Sequence, residues 1–100
     1  MTVEIKNNTN QIVVALIGQF DNQASQECLQ QLQPLFDNAD KEIVIDCDKM
    51  TFISSSGLRI LLSLRKAIKS RGGSLILEHL NSEVRNVFDI TRFSTIFTIH

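Results

Sequence analysis

The sequence is poor in the residues that build disulfide, metal and redox sites. Its 100 residues include two cysteines, Cys28 and Cys47, nineteen positions apart, and two histidines, His79 and His100. This spacing fits neither a zinc site nor a CxxC redox pair, so we expect both thiols to be reduced and buried. Catalysis that depends on histidine would have to rest on His79, which we place at the end of a strand.

The sequence also lacks an excess of charge of one sign and a long apolar run. A formal net charge of -1 argues against a non-specific nucleic-acid binder. The longest apolar run, Ile12–Ile17, has six residues, and a membrane-spanning helix needs about twenty. The N-terminus shows no basic start followed by an apolar stretch. We therefore expect one cytoplasmic domain over residues 1–100, with no membrane insertion.

Motifs that bind nucleotides or activate a nucleophilic serine are missing. The sequence contains no GxxxxGK[ST], GxGxxG or GxSxG. Asp21, Asp46 and Ser55 could serve a small hydrolase, but a plausible general base and an oxyanion loop are absent. We therefore expect a protein that is not an enzyme and uses no cofactor.

What the sequence has is an alternation of β-branched runs with amphipathic segments. It predicts strands at 3–5, 11–18, 43–47, 74–78 and 95–99, and a loop over 48–56. Helices are predicted up to residue 36, over 56–70 and after residue 82, with Pro34 kinking or dividing the first. This order predicts an α/β layered fold in which helices pack on a mixed central β-sheet.

Three consecutive serines, Ser54, Ser55 and Ser56, stand between a predicted loop and the helix over 56–70. Taken alone, they favour a helix N-cap, because a serine there accepts a hydrogen bond from a first-turn N–H. The same geometry suits a phosphorylated serine, since a helix N-terminus offers free N–H donors and the positive end of a dipole. We expect Gly57 to let a ligand or a partner backbone approach closely.

The helix over 56–70 combines a core arc with a basic flank. Leu58 and Leu62 fall outside the core arc and share a flank with Arg65 and Lys69. Either they widen the core face beneath the basic side chains, or they form an apolar and basic docking strip beside Ser55. We predict the exposed strip, although cations near a helix C-terminus also complement its dipole.

Several segments together resemble the STAS domain, and within it the single-domain bacterial anti-sigma factor antagonists. Ile43–Asp46 followed by Phe52–Leu58 resembles the family's strand, short loop and Phe-hydrophobic-Asp/Ser-Ser/Thr-Ser/Thr-Gly-Leu pattern. Gly18–Asp21 is similar to the Gly-x-Leu-Asp that follows the second strand, and Val87–Phe93 is similar to a motif near the C-terminus. The resemblance covers essentially the whole chain in the right order.

The resemblance implies a binding module that is switched by phosphorylation. In the family, the unphosphorylated protein binds an anti-sigma factor that is also a serine kinase, and this frees a sigma factor. The kinase then phosphorylates its partner, which is released, and a PP2C-type phosphatase reverses the step. Ser55 matches the phosphoacceptor, and Asp21 matches an acid placed near it. The other residues expected near the phosphoacceptor are Asp46, Ser54, Ser56 and Gly57.

One position departs from the family pattern. Many phosphorylated members carry Asp where this chain has Ser54, so a carboxylate beside the acceptor is missing. The alternative function is therefore a STAS subunit that is never phosphorylated, for example the small cytosolic component of a lipid-transport ATPase. We expect the chain to be a monomer.

Overall fold

A computed structural model describes residues 1–100 as a mixed sheet of six strands with three helices. The strands are β1 (Thr2–Asn7), β2 (Gln11–Phe20), β3 (Glu42–Asp46), β4 (Met50–Ile53), β5 (Ser74–Glu78) and β6 (Thr98–Ile99). The helices are α1 (Asn22–Asp37), α2 (Ser55–Ser70) and α3 (Ser82–Ile90), and a 3-10 turn covers Phe93–Thr95. The predicted α/β class with a mixed sheet is confirmed.

Strand β2 pairs with three other strands. It pairs antiparallel with β1, whereas all other strand pairs are parallel, in the order β1-β2-β3-β5-β6. Gln11–Ala15 of β2 pair with β3, and after a register shift beyond Gly18 the end of β2 pairs with β4. Gly18 has φ +102°, a left-handed conformation that suits glycine. The ends of β2 and β4 therefore lie side by side where α1 and α2 begin.

The predicted loop over 48–56 is wrong in part, because Met50–Ile53 form β4. This strand has four residues, and its exposed centre lies between two buried ends. Such a short segment carries no readable periodicity, and its pairing partner lies some thirty residues earlier in the chain. The last predicted strand is also shorter than expected, since only Thr98–Ile99 pair with β5.

The helices pack on one face of the sheet. Every buried apolar residue except Val44 belongs to a single cluster between the sheet and the helices. Along β2 the buried side chains alternate with half-buried ones on the other face. None of the helices has the length and apolarity to cross a bilayer.

Helix α1 is continuous across its proline. It continues through Pro34 to Asp37, so the proline does not divide it. Leu29 is 49% exposed, and Ser25 is buried. Both cysteines are buried and free, as expected. Burial raises the pKa of the Cys47 thiol to about 12, which keeps it protonated and unreactive at neutral pH.

Candidate functional site

The start of α2 is held by Ser54. Its Oγ accepts a hydrogen bond from the Gly57 N–H at 3.2 Å, and its own N–H donates to the Phe20 carbonyl at 2.8 Å. Of the three serines, Ser54 is therefore the N-cap. Ser55 occupies the first helical position, where its side chain is exposed.

Helix α1 begins beside α2. Asp21 caps α1, because its Oδ1 accepts the Ala24 N–H at 2.9 Å. The Ser56 hydroxyl donates to Oδ1 of Asn22 at 2.8 Å and ties the two helix starts together. Asp21 and Ser56 thus lie at the two adjoining helix starts, one of which carries Ser55. A cavity of about 360 Å³ lies between the start of α1 and the end of β4 and is lined by Asp21, Asn22, Gln23, Phe52 and Ser54.

The electrostatics of this site favour an added anion near Ser55. Neither α1 nor α2 has an acidic residue in its first turn. Each helix N-terminus carries about half a positive charge from its aligned peptide dipoles. Asp21 is the one carboxylate lining the cavity, and its Oδ1 is already engaged by a backbone N–H. A phosphate on Ser55 would therefore meet the free N–H groups in the first turn of α2, with Asp21 as the one carboxylate of the adjoining cavity.

Gly57 lies near Ser55, but it faces inward, which corrects the expected approach of a partner. The residue is buried. A Cβ built on it would lie 3.0 Å from the ring of Phe20 and 3.0 Å from Ile53. The close approach at Gly57 is therefore made by the protein's own core, because α2 begins directly above the ends of β2 and β4.

The predicted exposed docking strip is wrong at Leu58. This side chain is 3% exposed and belongs to the core cluster, and Leu62 is half-buried against the same cluster. The physical reason is that α2 packs on both the sheet and α1, so its buried arc is wider than that of a helix with one neighbour. Leu58 and Leu62 are a broad core face, which was the alternative left open by the sequence.

Arg65 and Lys69 lie on the flank of α2 at the far end from Ser55. Lys69 is exposed, and Arg65 is half-buried, with its Nε donating to the Ile96 carbonyl at 3.0 Å. Ser55 and Lys69 are fourteen positions apart in α2, about 21 Å at 1.5 Å per residue. These two basic residues therefore belong to a different surface from the serine.

Asp46 does not lie beside Ser55, which corrects another prediction. It pairs with Ala15 of β2, whereas Ser54 binds Phe20, five residues further along that strand. At about 3.3 Å per residue this is a separation of about 16 Å. Asp46 instead contacts His79, whose Nδ1 lies 3.0 Å from Oδ1 of Asp46.

The contact between Asp46 and His79 shifts the pKa of both side chains. The hydrogen bond to Asp46 raises the pKa of His79. Burial alone would raise the pKa of Asp46, but hydrogen bonds from His79 and from the Asp48 N–H outweigh it and hold that pKa below its ordinary value. No three His, Cys, Asp or Glu side chains come together in a way that could hold a metal ion. The Asp46 and His79 side chains are both partly exposed, at 38% and 59%.

Two residues at the Ser55 site were not found from the sequence. Asn22 receives the Ser56 hydrogen bond, and Phe52 is a large apolar side chain that is 47% exposed beside Ser54. Phe52 faces outward because it directly precedes the inward-facing Ile53 in β4, but a strand of four residues is too short to be recognised from the sequence pattern. The exposed apolar surface next to Ser55 is thus on β4 rather than on α2.

The comparisons with known proteins agree on one family. A family model described as the STAS domain matches residues 1–100. The anti-sigma-B factor antagonist of Bacillus subtilis is 32% identical over 99 residues, covering 99% of this chain and 90% of that protein.

Solved structures give the same fold. An anti-sigma factor antagonist from Mycobacterium paratuberculosis superposes with a TM-score of 0.81 at 20% identity, covering 99% of this chain and 84% of that one. The phosphorylated form of the Bacillus cell fate determinant SpoIIAA gives a TM-score of 0.73 at 17% identity, over 99% of this chain and 91% of that one. With a family model that spans the whole chain and a relative that is similar along nearly all of it, this protein belongs to the STAS domain family.

Proposed function

We propose that this chain is an anti-sigma factor antagonist whose binding to an anti-sigma factor is switched by phosphorylation of Ser55. The observation that carries the proposal is the placement of Ser55, an exposed hydroxyl at the first position of α2 beside the start of a second helix. The names of the relatives support the binding of an anti-sigma factor. In this role the chain acts by binding and catalyses no reaction.

The switch acts through charge rather than through refolding. A phosphate at neutral pH adds about -1.5 to -2 charges and three acceptor oxygens. The capping bonds of Ser54 and Asp21 do not involve the Ser55 side chain, so they persist after modification. The new charge complements the α2 dipole and changes the surface that a partner meets through bulk, hydration and repulsion.

Phe52 supplies the apolar part of the proposed partner surface. It lines the cavity at the α1 and α2 starts, and it also lines a second one of about 200 Å³ between β4 and α3. Exposed aromatic side chains are frequent anchors of protein interfaces. A partner that covers Phe52 would also cover Ser55, so a phosphate there would stand inside the interface.

Ser54 fits this switch although many relatives carry Asp at its position. Serine and aspartate are comparably good N-caps, and here the serine makes the capping bond. Without a carboxylate at Ser54, the added phosphate meets less negative charge at the helix start. The relatives support this role over a subunit of a lipid-transport ATPase that is never phosphorylated.

The proposed partners are an anti-sigma factor with serine kinase activity and a PP2C-type phosphatase. The test is incubation with the anti-sigma kinase of the host and ATP, followed by phosphopeptide mapping. We expect a single phosphate on Ser55, removed by the phosphatase, and no phosphate on the Ser55→Ala variant, which should still bind the kinase. A phosphate on Ser54 or Ser56, or none on any of the three serines, would refute the assignment.

A further inference from the structure

A groove runs along the edge of the sheet between β5, the segment before β6, and the C-terminal half of α2. It has a volume of about 380 Å³. Its apolar lining comes from Ile68, Leu75, Ile76, Ile96 and Phe97, and Arg65 and Lys69 stand at its rim. It lies at the far end of α2 from Ser55, so the switch proposed above does not account for it.

The groove exists because β6 covers only part of β5. The two residues of β6 pair with Ile76 and Leu77, which leaves Ser74 and Leu75 without a strand on their outer side. The chain before β6 turns away as a 3-10 turn over Phe93–Thr95. An uncovered stretch of a β-strand is a place where an extended peptide can add to a sheet.

The charged side chains at the rim, Arg65 and Lys69, are both positive. Arg65, Lys66 and Lys69 form no ion pair with any carboxylate of this chain, whereas Arg71 lies 4.0 Å from Asp40 and Arg85 lies 3.4 Å from Asp89. The Arg65 side chain is held over the groove by its bond to the Ile96 carbonyl. Its terminal nitrogens keep their donors for a carboxylate from outside.

We propose that this groove binds an extended, acidic segment of a partner protein, with an apolar side chain of that segment seated against Ile96. The extended form follows from the open edge of β5, the acidic character from the unpaired cations, and the apolar residue from Ile96, which is 37% exposed. The inference goes beyond the proposed function and holds whether or not Ser55 is modified.

The test uses the full chain and a fluorescein-labelled peptide, Asp-Glu-Leu-Val-Glu-Asp, followed by anisotropy at low salt. A matched peptide with serines in place of Leu-Val tests the apolar contact, and one with lysines in place of the acids tests the charge. We expect both matched peptides to bind more weakly. In ¹⁵N spectra we expect the shifts caused by the first peptide to centre on Ser74, Leu75 and Ile96.

Two pairs of variants locate the contact. Lys69→Glu should weaken binding about fivefold, and the control Lys6→Glu makes the same charge change on the exposed edge strand β1. Ile96→Ser should weaken it about tenfold, and the control Ile5→Ser changes a side chain that is 36% exposed, nearly the same as Ile96. Neither control should change binding by more than about twofold.

Three results would overturn the inference. Equal losses from Lys69→Glu and Lys6→Glu would mean that the peptide responds only to net charge. Shifts centred on Phe52 and Ser55 would place an acidic peptide at the other surface. Absence of peptide binding, with capture by vesicles of anionic phosphatidylglycerol, would assign the cations to a lipid surface instead.

Discussion

Two polar clusters lie at the carboxyl ends of parallel strands, and they handle negative charge in opposite ways. At the ends of β2 and β4, Asp21 and Ser54 cap two helices and leave Ser55 exposed among backbone donors. At the ends of β3 and β5, the carboxylate of Asp46 already accepts the Asp48 N–H. The first cluster has room for an anion from outside, whereas the second holds an anion of its own.

The difference comes from how soon a helix follows the strand. One residue separates β2 from α1, and one separates β4 from α2, so free helix donors stand directly at these strand ends. β3 leads into a turn instead, and three residues, 79–81, separate β5 from α3. The side chains at these ends therefore pair with each other, as Asp46 does with His79. Similar strand ends thus acquire different chemistry from the length of the connection alone.

The largest expected effect is that of a fixed charge at the first cluster. Ser55→Asp should weaken binding of the anti-sigma factor more than a hundredfold, roughly 3 kcal/mol, with an unchanged circular dichroism spectrum. Ser63→Asp is the matched control, because it makes the same change at an exposed serine further along α2. Equal losses for the two variants, measured by isothermal titration calorimetry, would show that only net charge matters.

The next largest effect tests whether the start of α2 in the first cluster is held by close packing of Gly57 against the core. Gly57→Val should lower the free energy of unfolding by about 1–3 kcal/mol, because the new side chain collides with Phe20 and Ile53. Arg59→Val places the same β-branched residue at an exposed position of the same helix. It should lower the free energy of unfolding by less than Gly57→Val does. Denaturant unfolding measures both. A Gly57→Val protein of normal stability that has lost its partner would restore the earlier expectation that Gly57 faces outward.

A smaller effect separates the three serines of the first cluster. Ser54→Ala should cost about 1 kcal/mol of stability because it removes the N-cap. Ser56→Ala should cost less, since it loses one exposed bond to Asn22, and Ser55→Ala should be neutral. Thermal unfolding of the three variants provides the ranking. If Ser56→Ala were the most damaging, the cap would be assigned to the wrong serine.

The smallest effect belongs to the second cluster and depends on pH. Asp46 raises the pKa of His79, so the protonated histidine stabilises the fold at pH values below the ordinary histidine pKa of 6.5. This stabilisation is lost as the pH rises through the raised pKa. The lowered Asp46 pKa stabilises the fold above the ordinary value of 3.8, and this is lost as the pH falls. The Asp46–His79 pair therefore stabilises the fold most between pH 3.8 and pH 6.5, the ordinary pKa values of the two side chains.

His79→Asn should lower the melting temperature slightly inside that window and hardly at all at alkaline pH. Asparagine is the chosen replacement because position 79 has φ 62°, a left-handed conformation that asparagine tolerates. Thermal unfolding across pH measures the effect. A loss that did not vary with pH would argue against a contribution from the charged pair.

Local features of the first cluster were predictable, because they depend on neighbours in the chain. The α2 boundary was predicted within one residue. These features follow from residue type next to an amphipathic run. Ser55 was placed by resemblance to the family pattern, since three adjacent serines cannot be told apart by propensity.

The failures share a dependence on distant parts of the chain. Strand β4 exists because it pairs with the end of β2, and Leu58 is buried because α2 has two packing neighbours. The separation of Asp46 from Ser55 depends on the register between β2 and β3. A single sequence carries little information on such registers, because each is fixed by the assembled sheet.

The partner exchange along β2 has a thermodynamic consequence for recognition. The strand binds β1 and β3 with its first part and β4 with its end, and Ser54 bonds to its last residue. The start of α2, which carries Ser55, is therefore fixed before any partner arrives. Association then loses little conformational entropy on this side of the interface. An affinity change after phosphorylation should accordingly appear mainly in the enthalpy and in the dissociation rate.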